Sequence, residues 1–519
     1  MRLLHALIVG AIFTIGMAGV SLAQDVTLTS RDGKVSVSGT LLSFDGEFYR
    51  VDSIYGALTL DGTGVTCKGI GCPNLEAYIA EFSIAGARAI GEVLLPTLIE
   101  KFAQKNGMSV NRVVRDDAHY TYVLNMLETG KDVARIGFSL SNTDGGFADM
   151  LKGEADMVLA MREINASEVQ SAHQADIGDM TRAARSRIVA LDGLVPVTAQ
   201  NNPITEISLS GLANLFAGKI ANWQEIDGPD APVYLHLLKS DSGLTQQFVT
   251  DVMQTENLDV SLSIVRHASA ADLVDAVAAD PFAIGVTRYS EVGNAKILAL
   301  RGDCGMAFHA TPRTIKTEDY PLTIPLFIYT SARRLPKTAR EFLVFLRTSA
   351  AQHAVQRAGF VDQDVTTVDI DRQGRRFANA IASAGKETQL EELQRMIDVL
   401  RPALRLSITF RFNAGSSSLD AQSRSNVILL ARLLEAGAYD GHEMMFVGFS
   451  DGDGDAGLNR KIAKQRAAAV RTAIADMATT MKSAQVSLKV EAFGEALPMA
   501  CDDSEWGRQV NRRVEVWIK

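Results

Sequence analysis

Gly448-Phe-Ser-Asp-Gly-Asp-Gly-Asp-Ala-Gly-Leu-Asn-Arg-Lys-Ile-Ala-Lys-Gln-Arg466 changes character twice within a short span. The apolar run Met444 to Phe449 leads into it and reads as a buried strand. Alternating Gly and Asp then predict a loop, and an Ala-rich segment from about Leu458 predicts a helix. Asp451 stands where the strand ends. Asn459 and Arg466 lie seven residues apart, two helical turns, so they share one face. A carboxylate and a guanidinium on opposite sides of a small cleft suit a zwitterion: the first takes an ammonium, the second forks onto a carboxylate. The plainer alternative is that Asp451 caps the helix and Arg466 is a solvated surface residue.

Further residues fall into register with this stretch. Phe410-Arg411-Phe412 and Leu419 fit an opening strand and turn, and Asn511-Arg512-Arg513-Val514 precedes a final strand. With Ser450-Asp451, Asn459, Ile462-Ala463 and Arg466-Ala467, the pattern resembles the OmpA-like peptidoglycan-binding domain over residues 404–519. The family's usual Thr before the Asp is Ser450 here, and its Leu-Ser is Ile462-Ala463. The resemblance implies an α+β domain in which Asp451 and Arg466, with Asn459 beside them, grip the diaminopimelate of a peptidoglycan stem peptide. One of Arg512 and Arg513 is expected to form a structural ion pair.

The length of 519 residues implies about three domains. A net charge of −9 argues against a general nucleic-acid binder and requires any anion site to be locally basic. Arg2, the apolar run Leu3 to Val20 and the small residues Ser21-Leu22-Ala23 read as a signal peptide over 1–23, with an uncleaved anchor as the alternative. Export to the periplasm follows. Cys67 and Cys72 sit in a Gly-rich segment and are expected to close a small disulfide loop; a zinc half-site is the weaker alternative. Cys304 and Cys501 are left free or paired across domains. Residues 24–78 alternate apolar and polar positions between turns and read as a small β-rich unit without chemistry of its own.

Residues 79–365 alternate strand-like and helix-like segments, which predicts an α/β domain with mainly parallel sheets in two lobes. Several ordered blocks carry a resemblance: Ile84-Ala-Gly86-Ala-Arg88, Gly146-Phe147 with Gly153-Glu154-Ala155-Asp156 and Arg162, Ala190-Leu-Asp192-Gly193, Leu215-Phe216-Ala-Gly218-Lys-Ile220-Ala-Asn222-Trp223, Lys239-Ser240-Asp241-Ser242-Gly243-Leu244-Thr245, and Tyr320-Pro321-Leu322 through Tyr329. They resemble the type II periplasmic substrate-binding proteins, specifically the phosphate-binding branch of ABC importers. That resemblance implies a cleft for phosphate or a similar oxyanion, with an ABC permease as a candidate partner. Such binders hold a dehydrated oxyanion with hydroxyls, helix N-terminal N–H groups and an arginine. Arg88, Thr143, Arg162, Lys239, Ser242 and Gly243 are the candidate contacts. Two departures stand out: the first loop has no hydroxyl, and the family's arginine aligns with Leu238 or Lys239. Asp156 and Asp192 are assigned to capping or packing, and Trp223 and Phe216 to the core.

Residues 366–403 read as a helical linker, with Leu390, Leu393, Met396, Ile397 and Leu400 at helical spacing before Pro402. Asp451-Gly-Asp-Gly-Asp455 lacks the Gly and Glu that a calcium loop needs, because Ala456 and Ile462 stand there. No H-E-x-x-H motif occurs and no catalytic set is recognised, so neither an enzyme nor a metal or other cofactor is expected. The favoured reading is a peptidoglycan-anchored oxyanion-binding protein. The alternative is an envelope scaffold whose binding-protein fold takes no solute.

Overall fold

The computed structural model describes residues 25–519, apart from 183, 386, 387, 414, 415, 417 and 482–484. The proposed signal peptide, 1–23, lies outside the described residues. The chain forms two compact units. One holds the described residues through Ala80 with Pro336–Thr338; the other holds Glu81–Leu335 and Ala339–Lys519.

In the first unit, five antiparallel strands form one sheet around a small core of Val26, Leu28, Tyr49 and Val51. A disulfide joins Cys67 to Cys72 beside that core. So small a core gains from a covalent staple that restricts the unfolded chain.

In the second unit the strand Ser186–Thr198 is the spine. Its first half pairs antiparallel with Thr323–Thr330, and its second half pairs antiparallel with Ala283–Arg288. It therefore belongs to two lobes at once, and these long strands make the hinge. The first lobe continues through Met157–Ala160 and Ala80–Ala87 to the strands Asp132–Ser141, His119–Met126 and Met108–Val114. The second lobe continues through Tyr234–Leu238 to Val265–His267. Mainly parallel sheets were the expectation; the sheet is mixed. Tight turns link Met108–Val114 to His119–Met126 and on to Asp132–Ser141, and strands joined so closely can only run antiparallel. Parallel pairing persists where helices cross over, as between Tyr234–Leu238 and Ala283–Arg288.

The C-terminal domain is a sheet covered on both faces. Leu404–Arg411, Arg513–Ile518, Glu443–Phe449 and Ser487–Gly494 lie side by side, and the short strand Thr367–Val368 extends one edge. Helices Ala421–Glu435 and Ala456–Met477 cover one face through Leu430, Leu434, Ala467, Val470 and Ile474. The stripe read as a linker covers the other: Phe377 of Gly374–Ser383 and Leu393, Met396 and Leu400 of Leu390–Leu400 pack on Met445, Val447 and Trp517. Gly448 is required at the strand–helix contact, since a Cβ there would stand 2.1 Å from the Ala463 carbonyl oxygen.

The lobes and the C-terminal domain join through buried charge. Arg405 is 2% exposed and forks onto Asp319 of the second lobe at 2.7 and 3.0 Å. Its Nε lies 3.3 Å from Glu515, a fully buried carboxylate that also receives Arg376 and, at 2.8 Å, Arg513. Burial works against every one of these charges. The neighbouring arginines nevertheless hold Glu515 far below the ordinary glutamate range. Beside the cluster, Arg411 donates to the Glu318 carbonyl at 2.6 Å and Thr409 donates to the Thr317 carbonyl at 2.8 Å. A disulfide between Cys304 and Cys501 adds a covalent link, resolving a pairing that the sequence left open. On the first-lobe side, Arg424 pairs with Glu163.

Glu515→Gln leaves three buried arginines facing Asp319 alone and is expected to destabilise the chain by about 3–5 kcal/mol in denaturant titration. Because the folded-state pKa of Glu515 is depressed, its contribution is complete above the unfolded value of about 4.3 and fades as pH falls below it. Wild type and variant therefore converge in acid.

Candidate functional site

The predicted anchor residues meet at one end of the C-terminal sheet. The strand Glu443–Phe449 delivers Ser450 and Asp451, and the helix Ala456–Met477 delivers Asn459 and Arg466. The helix is capped by Asp455, whose Oδ1 accepts from the Leu458 N–H at 2.8 Å, so Asp451 is not the cap. Oδ2 of Asp451 accepts from Arg512 Nη1 at 2.7 Å, and Arg512 Nη2 reaches Glu505 at 2.7 Å. Arg466 is half-buried and lies over the Phe412 ring at 5.5 Å. It has no carboxylate partner among the described residues. Burial and the nearby Arg512 guanidinium pull its pKa below the usual value, and the Asp451 carboxylate opposes them. Arg466 is thus a half-buried cation that feels Asp451 electrostatically and has no ion pair among the described residues. Asn459 donates to the Asp453 carbonyl at 3.1 Å and to Glu495 at 3.2 Å, which steadies the Gly/Asp loop rather than opening toward a ligand. The adjoining Ser450 hydroxyl is buried and unpartnered among the described residues.

Sequence reading missed Arg512 as a member of this site. The signal was its place just before the last strand: Val514 pairs with Gly448, which sets Arg512 beside the strand end that bears Asp451. Arg513 faces the opposite way, into the buried cluster, over the Phe449 ring at 4.4 Å. Asn511 is structural; its amide brackets Met499, Ala500 and Asp502 and so holds the turn that carries Cys501.

The oxyanion candidates converge only in part. Thr143 opens the helix Thr143–Leu151, and its hydroxyl accepts from the Met161 N–H at 3.0 Å. Ser242 caps the helix Gly243–Phe248, and Gly243 approaches the Met161 sulfur, 3.9 Å from where a Cβ would stand. Two helix N-termini, one from each lobe, thus approach Met161. First-turn N–H groups have no partner within their own helix and point outward. Arg162 lies next to them, but its fork is engaged by Glu168 at 2.8 and 2.9 Å and by Asp144. Arg88 spends its guanidinium on Glu92 and the Asp117 carbonyl, at 2.7 and 2.8 Å, and Lys239 is exposed. Gly86 serves close strand packing, because a Cβ there would meet the Leu159 carbonyl at 2.4 Å. Asp156 and Asp192 bind Ser83 and Ser290, which accords with packing.

Between the lobes lies a cavity of about 260 Å³, lined by Met161, Arg162, Gln247, the hinge residues Ile324 and Pro325, and Gln422. Its wall includes Asp420, Ala421 and Gln422, so the C-terminal domain forms one side of the cleft. Glu163, Glu318 and Asp420 also line it, and burial pushes Glu318 up to about 8.

A family model described as a PBP superfamily domain matches residues 75–349, and an OmpA-family model matches residues 411–512. The chain belongs to the PBP superfamily and carries a C-terminal OmpA-family domain. The phosphate-binding protein PstS of Staphylococcus aureus (strain USA300) is 25% identical over 237 residues, covering 44% of this chain and 69% of that protein. PstS of Staphylococcus epidermidis is 25% identical over the same length, with 70% of it covered. Among solved structures, an ABC-type phosphate transport receptor from Vibrio cholerae is 20% identical and covers 54% of this chain and 99% of its own, with a TM-score of 0.41. The peptidoglycan-associated lipoprotein from Burkholderia pseudomallei is 22% identical and covers 21% of this chain and 89% of its own, with a TM-score of 0.19.

In this PBP-superfamily protein Thr143 ties a helix start to the strand end at Met161. Thr143→Val leaves that buried N–H unpaired and is expected to cost about 1–3 kcal/mol of stability in denaturant titration.

Proposed function

We propose that this protein is an exported envelope receptor that binds an inorganic oxyanion, phosphate first, between its lobes and holds itself to peptidoglycan through its OmpA-family domain. The anchoring half is carried by one observation: Arg466, half-buried over the Phe412 ring, has no ion-pair partner among the described residues. With Asp451 it accepts a zwitterion, the diaminopimelate carboxylate on Arg466 and its ammonium on the free oxygen of Asp451. Two disulfides support an oxidising compartment, the periplasm. For the cleft, Thr143, Ser242 and Gly243 supply a hydroxyl and N–H groups from both lobes, and the PstS relatives are phosphate-binding by name. The role is binding without catalysis.

A second reading is favoured by Arg162, whose charge is already matched by Glu168 and Asp144. On that reading the lobes are an envelope scaffold and the cleft takes no solute. Attachment to the wall suits sensing, storage or scaffolding better than delivery to an ABC permease, since a tethered receptor gains local concentration and loses reach.

Co-sedimentation with purified peptidoglycan tests the anchor. Asp451→Ala and Arg466→Ala are each expected to weaken retention about tenfold or more, equivalent to about 1.4 kcal/mol; unchanged retention rejects the site. Calorimetric titration of the full chain with phosphate, sulfate and phosphonates tests the cleft. Saturable heat with phosphate is expected, and no heat with any of them establishes the scaffold.

A further inference from the structure

A second cavity, of about 370 Å³, lies where the second lobe, the helix Gly374–Ser383 and the C-terminal domain meet. Five arginines line it, Arg313, Arg372, Arg375, Arg376 and Arg405, against a single carboxylate, Asp319. Its floor is the buried cluster described above. Three guanidiniums (Arg376, Arg405, Arg513) face two carboxylates (Asp319, Glu515), which leaves one positive charge uncompensated in a dry environment. Its rim is cationic as well. Arg313, Arg372 and Arg375 are exposed; Arg375 donates to Nε2 of His309 at 3.0 Å, and Arg372 reaches Asp369 only at 3.9 Å. Phe308, Val368, Pro498 and Met499 give the wall an apolar part, beside polar residues such as Thr311, Thr314 and Asn379.

In a chain with a net charge of −9, such a concentration of guanidiniums is a local reversal of field. We propose that this junction binds a small organic polyanion, a molecule bearing two or more carboxylate or phosphate groups on an apolar frame. The rim arginines fork onto its oxygens, the floor charge is balanced from above, and the frame rests on Phe308 and Val368. The size falls within the range of small-molecule sites. Because the walls come from the lobe and from the anchor domain, the ligand tightens the joint between them, and binding couples to its stability. This site is separate from the interlobe cleft and stands whether or not that cleft takes phosphate.

The test is calorimetric titration of the full chain with citrate and with inorganic pyrophosphate, which separate carboxylate from phosphate preference, in wild type and in an Arg313→Ala/Arg375→Ala double variant. Both substituted residues are exposed, so the fold is expected to persist, and circular dichroism checks it. Saturable binding of at least one anion is expected, weakened at least about tenfold in the double variant and falling with added salt. No binding of either anion to wild type, or the same affinity in the double variant, overturns the proposal.

Discussion

Arg405 is gripped from two sides: Asp319 reaches it from the second lobe, and Glu515 approaches it from its own sheet. A buried guanidinium is tolerable only when its charge is matched and its donors are used, and neither domain alone supplies both carboxylates. The C-terminal domain therefore completes its interior only when docked on the lobe. The other contacts follow from that docking: Thr409 on the Thr317 carbonyl, Arg411 on Glu318, and Cys501 within disulfide reach of Cys304. Arg424 then meets Glu163 on the first lobe. The C-terminal domain consequently touches both lobes and walls the cleft between them, so any hinge motion must work against these contacts.

The two arginines proposed for ligand work stand in opposite electrostatic states. Arg162 is saturated by its own neighbours, and its two carboxylates hold its pKa above the usual value. Arg466 is desolvated, repelled by Arg512, and attracted by Asp451 without a direct bond. A ligand carboxylate at Arg466 supplies a missing partner, whereas an oxyanion at Arg162 must displace existing ones. This difference makes the Arg466 end of the molecule better prepared for an anionic group than Arg162.

What the sequence disclosed was local. The run Met444 to Phe449, the loop and the Ala-rich helix were legible because each element reports its own buried face through its periodicity. The stripe Leu390 to Leu400 was legible as amphipathic, although its partner sheet was not. Asp319 and Arg405 had no such signal: a charge that is buried against another domain reads in sequence like a charge in water. Cys304 and Cys501 lie 197 residues apart, with no spacing to suggest a pair. The antiparallel strands between Met108 and Ser141 went unseen because the alternation of strand and helix elsewhere suggested crossovers. The sequence offers an ion pair to one of Arg512 and Arg513 without choosing between them, and only the register of the last strand sets Arg512 against Asp451.

The buried charge and the Cys304–Cys501 disulfide require the lobes and the C-terminal domain to move as one body. Spin labels at Asp275, on an exposed helix of the second lobe, and at Thr472, on an exposed part of the helix Ala456–Met477, measure this directly by pulsed dipolar spectroscopy. A single narrow distance distribution is predicted. A broad distribution, of the kind a flexible tether gives, would contradict it.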